Sequence, residues 1–349
     1  MRMARFGTLV GAGALVATLS LTAMPAQACA CGAFLAPEGA ELEVEAEQAA
    51  IAWDGETERI VFSVNAVSDV DSGAILIPTP SKATVEEAGP GLFAELGHLT
   101  RPEIDRVSQW WPDFLNRIET QVATEHPVEV LDQIDVGPLD ATVLAAKDAD
   151  LLADWLEEHD VVMSDDLASA LVPYVQEKWY FVMIDLDSQS GPIDGAVPPV
   201  SMTFASNQLI YPMRLSATAS DPQLVRTYTF ADHRMERSDA TDDSRVLWAG
   251  PVSPTDFVDQ TAVELAQAGG FLTLSEHYIS RPSSISADFT FAAAGTDADY
   301  RGVTTVIDDK RILGVPAGPV LIFGGLVFIG VAGSVWSYRS RRAGLRLGR

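Results

Sequence analysis

Arg59-Ile60-Val61-Phe62-Ser63-Val64-Asn65 places Ile60, Phe62 and Val64 on one face of an extended chain, the period-two pattern of a β-strand. Reading outward, Ala74 to Ile77 is a second short apolar run, stopped by Pro78-Thr79-Pro80 because proline cannot donate to a strand ladder. Leu92, Phe93 and Leu96 then predict a short helix ended by Gly97. The middle of the chain changes period. Asp148 to His159 puts Leu151, Leu152, Trp155 and Leu156 on one helical face, with acids early where the helix dipole favours them. A second helical segment follows Ser164, carrying Leu167, Leu171 and Val175, and Pro173 is expected to kink or end it. Trp179 to Ile184 suits a buried strand, and strand patterns return at Val200 to Phe204, Leu209 to Leu215, Val225 to Phe230, Leu272 to Tyr278 and Asp288 to Phe291. Strands, a helical middle and more strands predict an α+β, β-rich domain rather than a doubly wound parallel sheet.

The ends of the chain have a different chemistry. Arg2 and Arg5 precede an uncharged apolar run from Thr8 to Met24 and then Pro25-Ala26-Gln27-Ala28, the order of a secretory signal peptide. The run is shorter than the roughly 20 residues that cross a bilayer, so removal after Ala28 is expected, leaving Cys29 first. Lipid attachment to Cys29 is the weaker alternative, since Ala26 stands where a lipoprotein signal carries a large aliphatic residue. At the other end no charge occurs between Arg311 and Arg339, which predicts one transmembrane helix within residues 315–338. Arg339, Arg341, Arg342, Arg346 and Arg349 follow, and basic residues flanking a span stay on the cytoplasmic side. Trp336 and Tyr338 fall where an aromatic belt is expected, and Gly330 and Ser334 give a weak helix-pairing signal. The expected organisation is therefore signal 1–28, extracytoplasmic domain 29–314, membrane helix 315–338 and a basic cytoplasmic tail 339–349. That order places the protein in the cell membrane as a single-pass envelope protein with its bulk outside.

Without Arg2, Arg5 and the five tail arginines, 16 basic residues face 49 acidic ones, so the exported part carries about −33. Nucleic acid and anionic lipid headgroups are poor partners for such a field, because binding them depends on positive patches. Lysine is represented by Lys82, Lys147, Lys178 and Lys310 alone, and an acid-rich, lysine-poor surface predicts stability that rises with salt. The two cysteines, Cys29 and Cys31, lie on the oxidising side, where disulfides persist; a bridge between them closes a small strained ring, and free or intermolecular thiols are equally compatible.

Motifs for catalysis are missing from the linear sequence: there is no Gly-rich phosphate loop, nucleophile elbow or paired-histidine zinc helix. His98, His126, His159, His233 and His277 are scattered, none four residues from another. Asp69-Val70-Asp71 and Asp185-Leu186-Asp187 lack calcium-loop spacing and read as solvated turns. Trp110-Trp111-Pro112 is expected to pack in the core, and Arg214 to form an internal ion pair. No cofactor or metal ligand set emerges. The reading is a non-enzymatic binding or envelope-structural domain of unknown molecular activity, partnered by the membrane and by an unidentified envelope component or membrane protein. Its rivals are a carboxylate-dependent envelope hydrolase, since paired acids leave little linear signature, and an accessory subunit of a membrane complex.

Several short stretches also match a known pattern in order. Cys31-Gly32-Ala33-Phe34, Glu58-Arg59-Ile60-Val61-Phe62, Ile75-Leu76-Ile77-Pro78-Thr79-Pro80, Tyr174 with Trp179-Tyr180-Phe181, and Tyr211-Pro212-Met213-Arg214-Leu215 resemble the uncharacterised bacterial family called domain of unknown function 2330. The resemblance runs from about Cys31 to about Arg234 and implies secreted or membrane-anchored proteins, with no activity, substrate or cofactor to carry over. Members often have a second cysteine five residues after the first, where this chain has Ala36, so a disulfide across that turn is impossible here.

Overall fold

A computed structural model describes residues 28–29, 32–35, 42–68, 70, 72–110, 140–145, 152, 156, 164–187, 194–239, 244–312 and 314–344. Its first elements are β1 (Ala28–Cys29), β2 (Gly32–Leu35), β3 (Leu42–Trp53), β4 (Thr57–Ser68), β5 (Ser72–Thr79), β6 (Thr84–Glu87), α1 (Leu92–Leu99), β7 (Glu103–Gln109) and β8 (Asp140–Ala145). Next come α2 (Asp165–Gln176), β9 (Tyr180–Asp187), β10 (Asp194–Ala196), β11 (Val200–Ala205), β12 (Leu209–Tyr211), β13 (Gln223–Ala231), β14 (Met235–Arg237) and β15 (Ser244–Pro251). The chain closes with α3 (Gln260–Ala268), β16 (Phe271–Ile279), β17 (Phe289–Ala293), β18 (Tyr300–Arg301), β19 (Val303–Asp309), β20 (Arg311–Ile312), β21 (Val315–Pro316) and α4 (Ala317–Gly344).

Among these residues the largest sheet is β18-β15-β16-β13-β3-β4-β11-β6, with β10 also on β4. Its strands pair antiparallel except for β3 and β13, which run parallel and join the first third of the chain to the last. A smaller sheet, β1-β2-β5-β9-β8, lies against it, and β12-β17-β14 form a third. Residue parity shows how the layers stack. Ala49, Ile51, Ile60, Phe62 and Val64 of the large sheet share one buried cluster with Phe34, Ile75, Ile77, Val182 and Ile184 of the smaller one. Their neighbours Ala50, Ala52, Val61, Tyr228 and Phe230 point the other way, onto Leu92 and Leu96 of α1 and Ala262 and Leu265 of α3. Leu35, Leu76, Phe181 and Met183 point away from the sandwich, onto Leu152, Leu156 and Leu167, Leu171 and Tyr174 of α2. The architecture is thus helix, sheet, sheet, helices. Both sheets are covered on two faces, which is why Ala74 to Ile77 and Phe181 to Ile184 are continuous apolar runs rather than alternating ones. Each fully buried Ile, Leu or Phe there contributes about 1.5–3 kcal/mol.

The α+β, β-rich expectation holds, with some boundaries moved. Strand β5 runs through Pro78 instead of stopping before it: pairing with β2 ends at Leu76, so at Pro78 the strand has become an edge, where a missing donor is tolerated. Helix α2 continues three residues past Pro173, because only its last turn feels the lost N–H; Ser164 caps its start through a bond from Leu167 N at 3.2 Å. Helix α1 passes Gly97 and ends at Leu99. The expected strand from Leu209 to Leu215 is cut to β12 by Pro212, and Arg214–Thr218 forms a 3₁₀ turn. Of the helix expected from Asp148 to His159, Leu152 and Leu156 are described, helical and buried.

Gly32 explains why the first motif needs glycine. A Cβ there would stand 2.3 Å from the Leu76 carbonyl oxygen, a backbone atom that moves only if β5 moves. Gly32→Ala is expected to cost about 1–3 kcal/mol in urea unfolding, as overpacking does, whereas Gly295→Ala, with nothing within 4 Å, stays close to wild type.

Two smaller elements lead out of the sandwich. Strands β7 and β19 form a parallel ribbon, and β20 and β21 a short hairpin that runs into α4. Helix α4 holds a 21-residue apolar stretch, Ala317–Ser337, of mean hydropathy 2.0; only its first turn, at Ala317 and Gly318, is buried and the residues from Leu321 onward are exposed, so it is not a core helix. It begins two residues later than expected, since Val315 and Pro316 pair in β21.

Candidate functional site

Tyr211-Pro212-Met213-Arg214 carries the chain from β12 into the 3₁₀ turn, and Asp288 immediately precedes β17, the partner strand of β12. This adjacency makes Asp288 the centre of a network. Its Oδ1 accepts from Met213 N at 2.7 Å, Arg214 N at 3.1 Å and the Tyr174 hydroxyl at 2.5 Å, and its Oδ2 accepts from Arg214 Nε at 2.8 Å. The other two guanidinium nitrogens of Arg214 donate to both Glu177 oxygens at 2.7 and 2.8 Å, the bidentate fork for which arginine is suited. The guanidinium carbon also lies 4.0 Å from the centre of the Tyr174 ring and 5.5 Å from that of Trp179. Burial opposes the charge on Arg214, but Glu177 and Asp288 outweigh it and hold the guanidinium above its ordinary pKa. Burial, reinforced by the Asp288 charge, pushes the Tyr174 hydroxyl well above the usual tyrosine value, while Arg214 keeps Glu177 below the usual glutamate value. Tyr174 and Glu177 stand at the C-terminal end of α2, so the network clasps that helix to the seam between the small sheets. The expected internal ion pair of Arg214 is present, with two carboxylates rather than one.

A second polar group lies on the inner face of the large sheet, where Thr227, Thr229, Thr273, Ser275 and His277 are all buried. His277 Nε2 is 2.9 Å from Thr227 Oγ1, its ring is 5.0 Å from Phe289, and its buried Nδ1 has no hydrogen-bond partner among the described residues. Burial, helped by the nearby Arg237 charge, pushes its pKa down to about 3, so the ring is neutral at physiological pH. The buried Tyr211 hydroxyl donates to Glu47 Oε1. Further along the same face Glu58 is fully buried; Oε1 accepts from Ile210 N at 2.9 Å, the Ser206 hydroxyl lies near the carboxyl, and among the described residues Oε2 has no hydrogen bond within normal distance. Burial pushes the Glu58 carboxyl well above the usual glutamate range, so its stabilising contribution is complete below about pH 4.5 and is lost as pH rises toward its folded value. Glu58→Gln mimics the protonated acid. It is expected to gain on wild type in Tm as pH goes from 5 to 9, and a constant difference across that range would show that Glu58 does not titrate there.

The other expected residues stay apart. Among the described residues no three His, Cys, Asp or Glu side chains are grouped to hold a metal. His98 lies in the last turn of α1, and exposed His233 pairs with Asp297 at 2.8 Å, which raises the histidine and lowers the aspartate. His126, His159, Asp69, Asp71, Trp111, Cys31, Arg346 and Arg349 lie outside the described residues, as do the side chains of Cys29, Arg341 and Arg342; Arg339 is exposed at the end of α4. Asp185 and Asp187 sit within β9, not in a turn, because the strand continues to its pairing with Ser72. Trp110 corrects the core-packing expectation. It is 49 % exposed, since the ribbon carrying it projects from the sandwich, and Lys310 Nζ lies 4.5 Å from its ring centre. Sequence reading had singled out Tyr174, Trp179 and Arg214 in separate motifs, but nothing in it pointed to Asp288, Glu177, Glu47 or the burial of His277.

Comparison with known proteins adds the following. A family model described as an uncharacterised protein conserved in bacteria (DUF2330) matches residues 25–292. No curated protein matches. Among solved structures, baculovirus P35 aligns over 76 % of this chain and 98 % of its own at 9 % identity, with a TM-score of 0.34, a likeness too low to carry any argument.

Proposed function

Since the chain belongs to the uncharacterised bacterial DUF2330 family, for which no specific activity is known, we propose that it is a single-pass protein of the cell membrane presenting a binding or envelope-structural domain outside. The observation that carries this reading is α4. Its apolar stretch is long enough for a bilayer and exposed from Leu321 onward, and its buried first turn is tied to the rest of the chain, Ala317 N to Lys310 O at 2.7 Å and Gly318 N to Trp110 O at 2.8 Å. The signal-like residues 1–28 and the arginines after Tyr338 support export of the bulk of the chain and retention of its C-terminus. Strand β1 includes Ala28, so cleavage after that residue trims β1 to Cys29. The polar networks favour a structural part for the domain over an enzymatic one: Asp288 and Arg214 spend their hydrogen-bonding groups on one another and on α2.

Affinity capture of the full chain from its own membrane, with assays on envelope polymers, tests this. The binding reading expects an envelope component whose recovery depends on residues 29–314. A membrane partner that depends on α4 instead would make the protein an accessory subunit, and turnover of a polymer would make it a hydrolase. Recovery of the protein alone, with no turnover, would remove the binding reading.

A further inference from the structure

We propose that Trp110, with Lys310 and Arg311, forms a seat in the lipid headgroup layer on the outer side of the membrane, an inference that rests on α4 as the membrane span. Trp110 ends the β7 side of the ribbon, and Lys310 follows β19 on the other side. Both backbones are fixed to the first turn of α4: the Trp110 carbonyl accepts from Gly318 N, and the Lys310 carbonyl from Ala317 N. The ring of Trp110 is therefore held at the level where the apolar stretch begins, although it lies some 200 residues away in sequence. At 1.5 Å per residue, Gly318 and Trp336 are about 27 Å apart along the helix, close to the thickness of a bilayer's hydrocarbon core. Two tryptophans thus bracket the span, one supplied by α4 and the other by a strand, at the two depths where indole rings accumulate.

Charge points to the same occupant. The exported part is strongly acidic and repels anionic surfaces, yet two of its few basic residues stand side by side at the helix entrance, both exposed. The nearest acids of the ribbon are engaged: Asp308 lies 3.7 Å from Arg106, and Asp309 accepts from Gln109 Nε2 at 2.9 Å. Exposed Lys310, its ammonium 4.5 Å from the centre of the Trp110 indole, places a positive charge at that depth, where lipid phosphates lie. A protein partner would have no reason to be matched to the bilayer spacing from Trp336.

The test uses the full chain in vesicles of phosphatidylethanolamine and phosphatidylglycerol, with lipids brominated high on their acyl chains to quench shallow tryptophans. Trp336→Phe removes the inner reporter and should lower quenching. In that background Trp110→Phe is expected to reduce the remaining quenching by about twofold or more, as an interfacial indole would. If Trp336→Phe lowers quenching and Trp110→Phe does not, α4 spans the membrane and the seat is refuted. If neither lowers it, α4 is not in the bilayer, and the seat falls with the anchor. Circular dichroism of each variant keeps a folding defect from imitating either result.

Discussion

Replacing Asp288 with alanine is expected to destabilise the protein by about 3–5 kcal/mol, the cost of removing one partner from a buried ion pair. Four donors converge on this carboxylate, and three of them have no alternative partner once it is gone. The Tyr174 hydroxyl is buried and held far from ionisation, so it becomes an unsatisfied donor; Met213 N is in the same position. Arg214, whose side chain is 14 % exposed, keeps only Glu177, which is itself half-exposed. Asp288→Asn should cost less, because it preserves an acceptor for Tyr174, Met213 N and Arg214 N but turns an amide against Arg214 Nε. Urea unfolding followed by tryptophan fluorescence measures this directly, since Trp179 stacks near the guanidinium. A loss under about 1 kcal/mol for the alanine variant would show that the clasp contributes no more than an exposed ion pair.

The second large effect depends on pH. The folded-state pKa of His277 is depressed from 6.5 to about 3, so its contribution is complete above pH 6.5 and is lost as pH falls toward 3. At 1.36 kcal/mol per pH unit, acidification from 6.5 to 5 should remove on the order of 2 kcal/mol of the histidine's own contribution, while Glu58 gains over the same interval, so the histidine is read as the difference between wild type and His277→Leu. That interval lies above the range in which the depressed carboxylates Glu276, Glu177 and Glu264 begin to take up protons, so the histidine can be read apart from them. His233 works with the opposite sign through Asp297, but it is fully exposed and screened by solvent. The His277→Leu variant should lose less stability than wild type between pH 6.5 and 5, even though Thr227 gives up a partner. Parallel pH profiles would mean that the buried ring is not protonated on unfolding in that interval. Glu58 works with the opposite sign from about pH 4.5 upward, so the two contributions offset each other between about pH 4.5 and 6.5 and stability falls away on either side of that interval.

Much of the scaffold was legible because burial on one face leaves a periodic trace. The alternation in β4, the apolar run of β9 and the patterns of β13 and β16 all gave strands in their observed places. What failed was what depends on neighbours. Pro78 looked like a stop until β2 proved too short to need its donor, and Pro173 came too late in α2 to end it. The four-layer order was not readable, since a continuous apolar run says that both faces are covered but not by what. The Asp288 clasp left no linear signal, because Tyr174 and Asp288 are 114 residues apart and the motif residues around Arg214 show only that something pairs with it. Trp110 was misplaced for a similar reason: a tryptophan's exposure depends on whether its strand belongs to the sandwich or to the projecting ribbon.

The central claim is that α4 crosses the membrane with the sandwich outside and the arginine tail inside. Treating intact cells with protease, with an epitope tag after Arg349, tests it most directly. The account predicts that the sandwich is digested while a small tagged fragment containing α4 survives until the cells are broken. Full protection of the chain, or loss of the tag from intact cells, would contradict it.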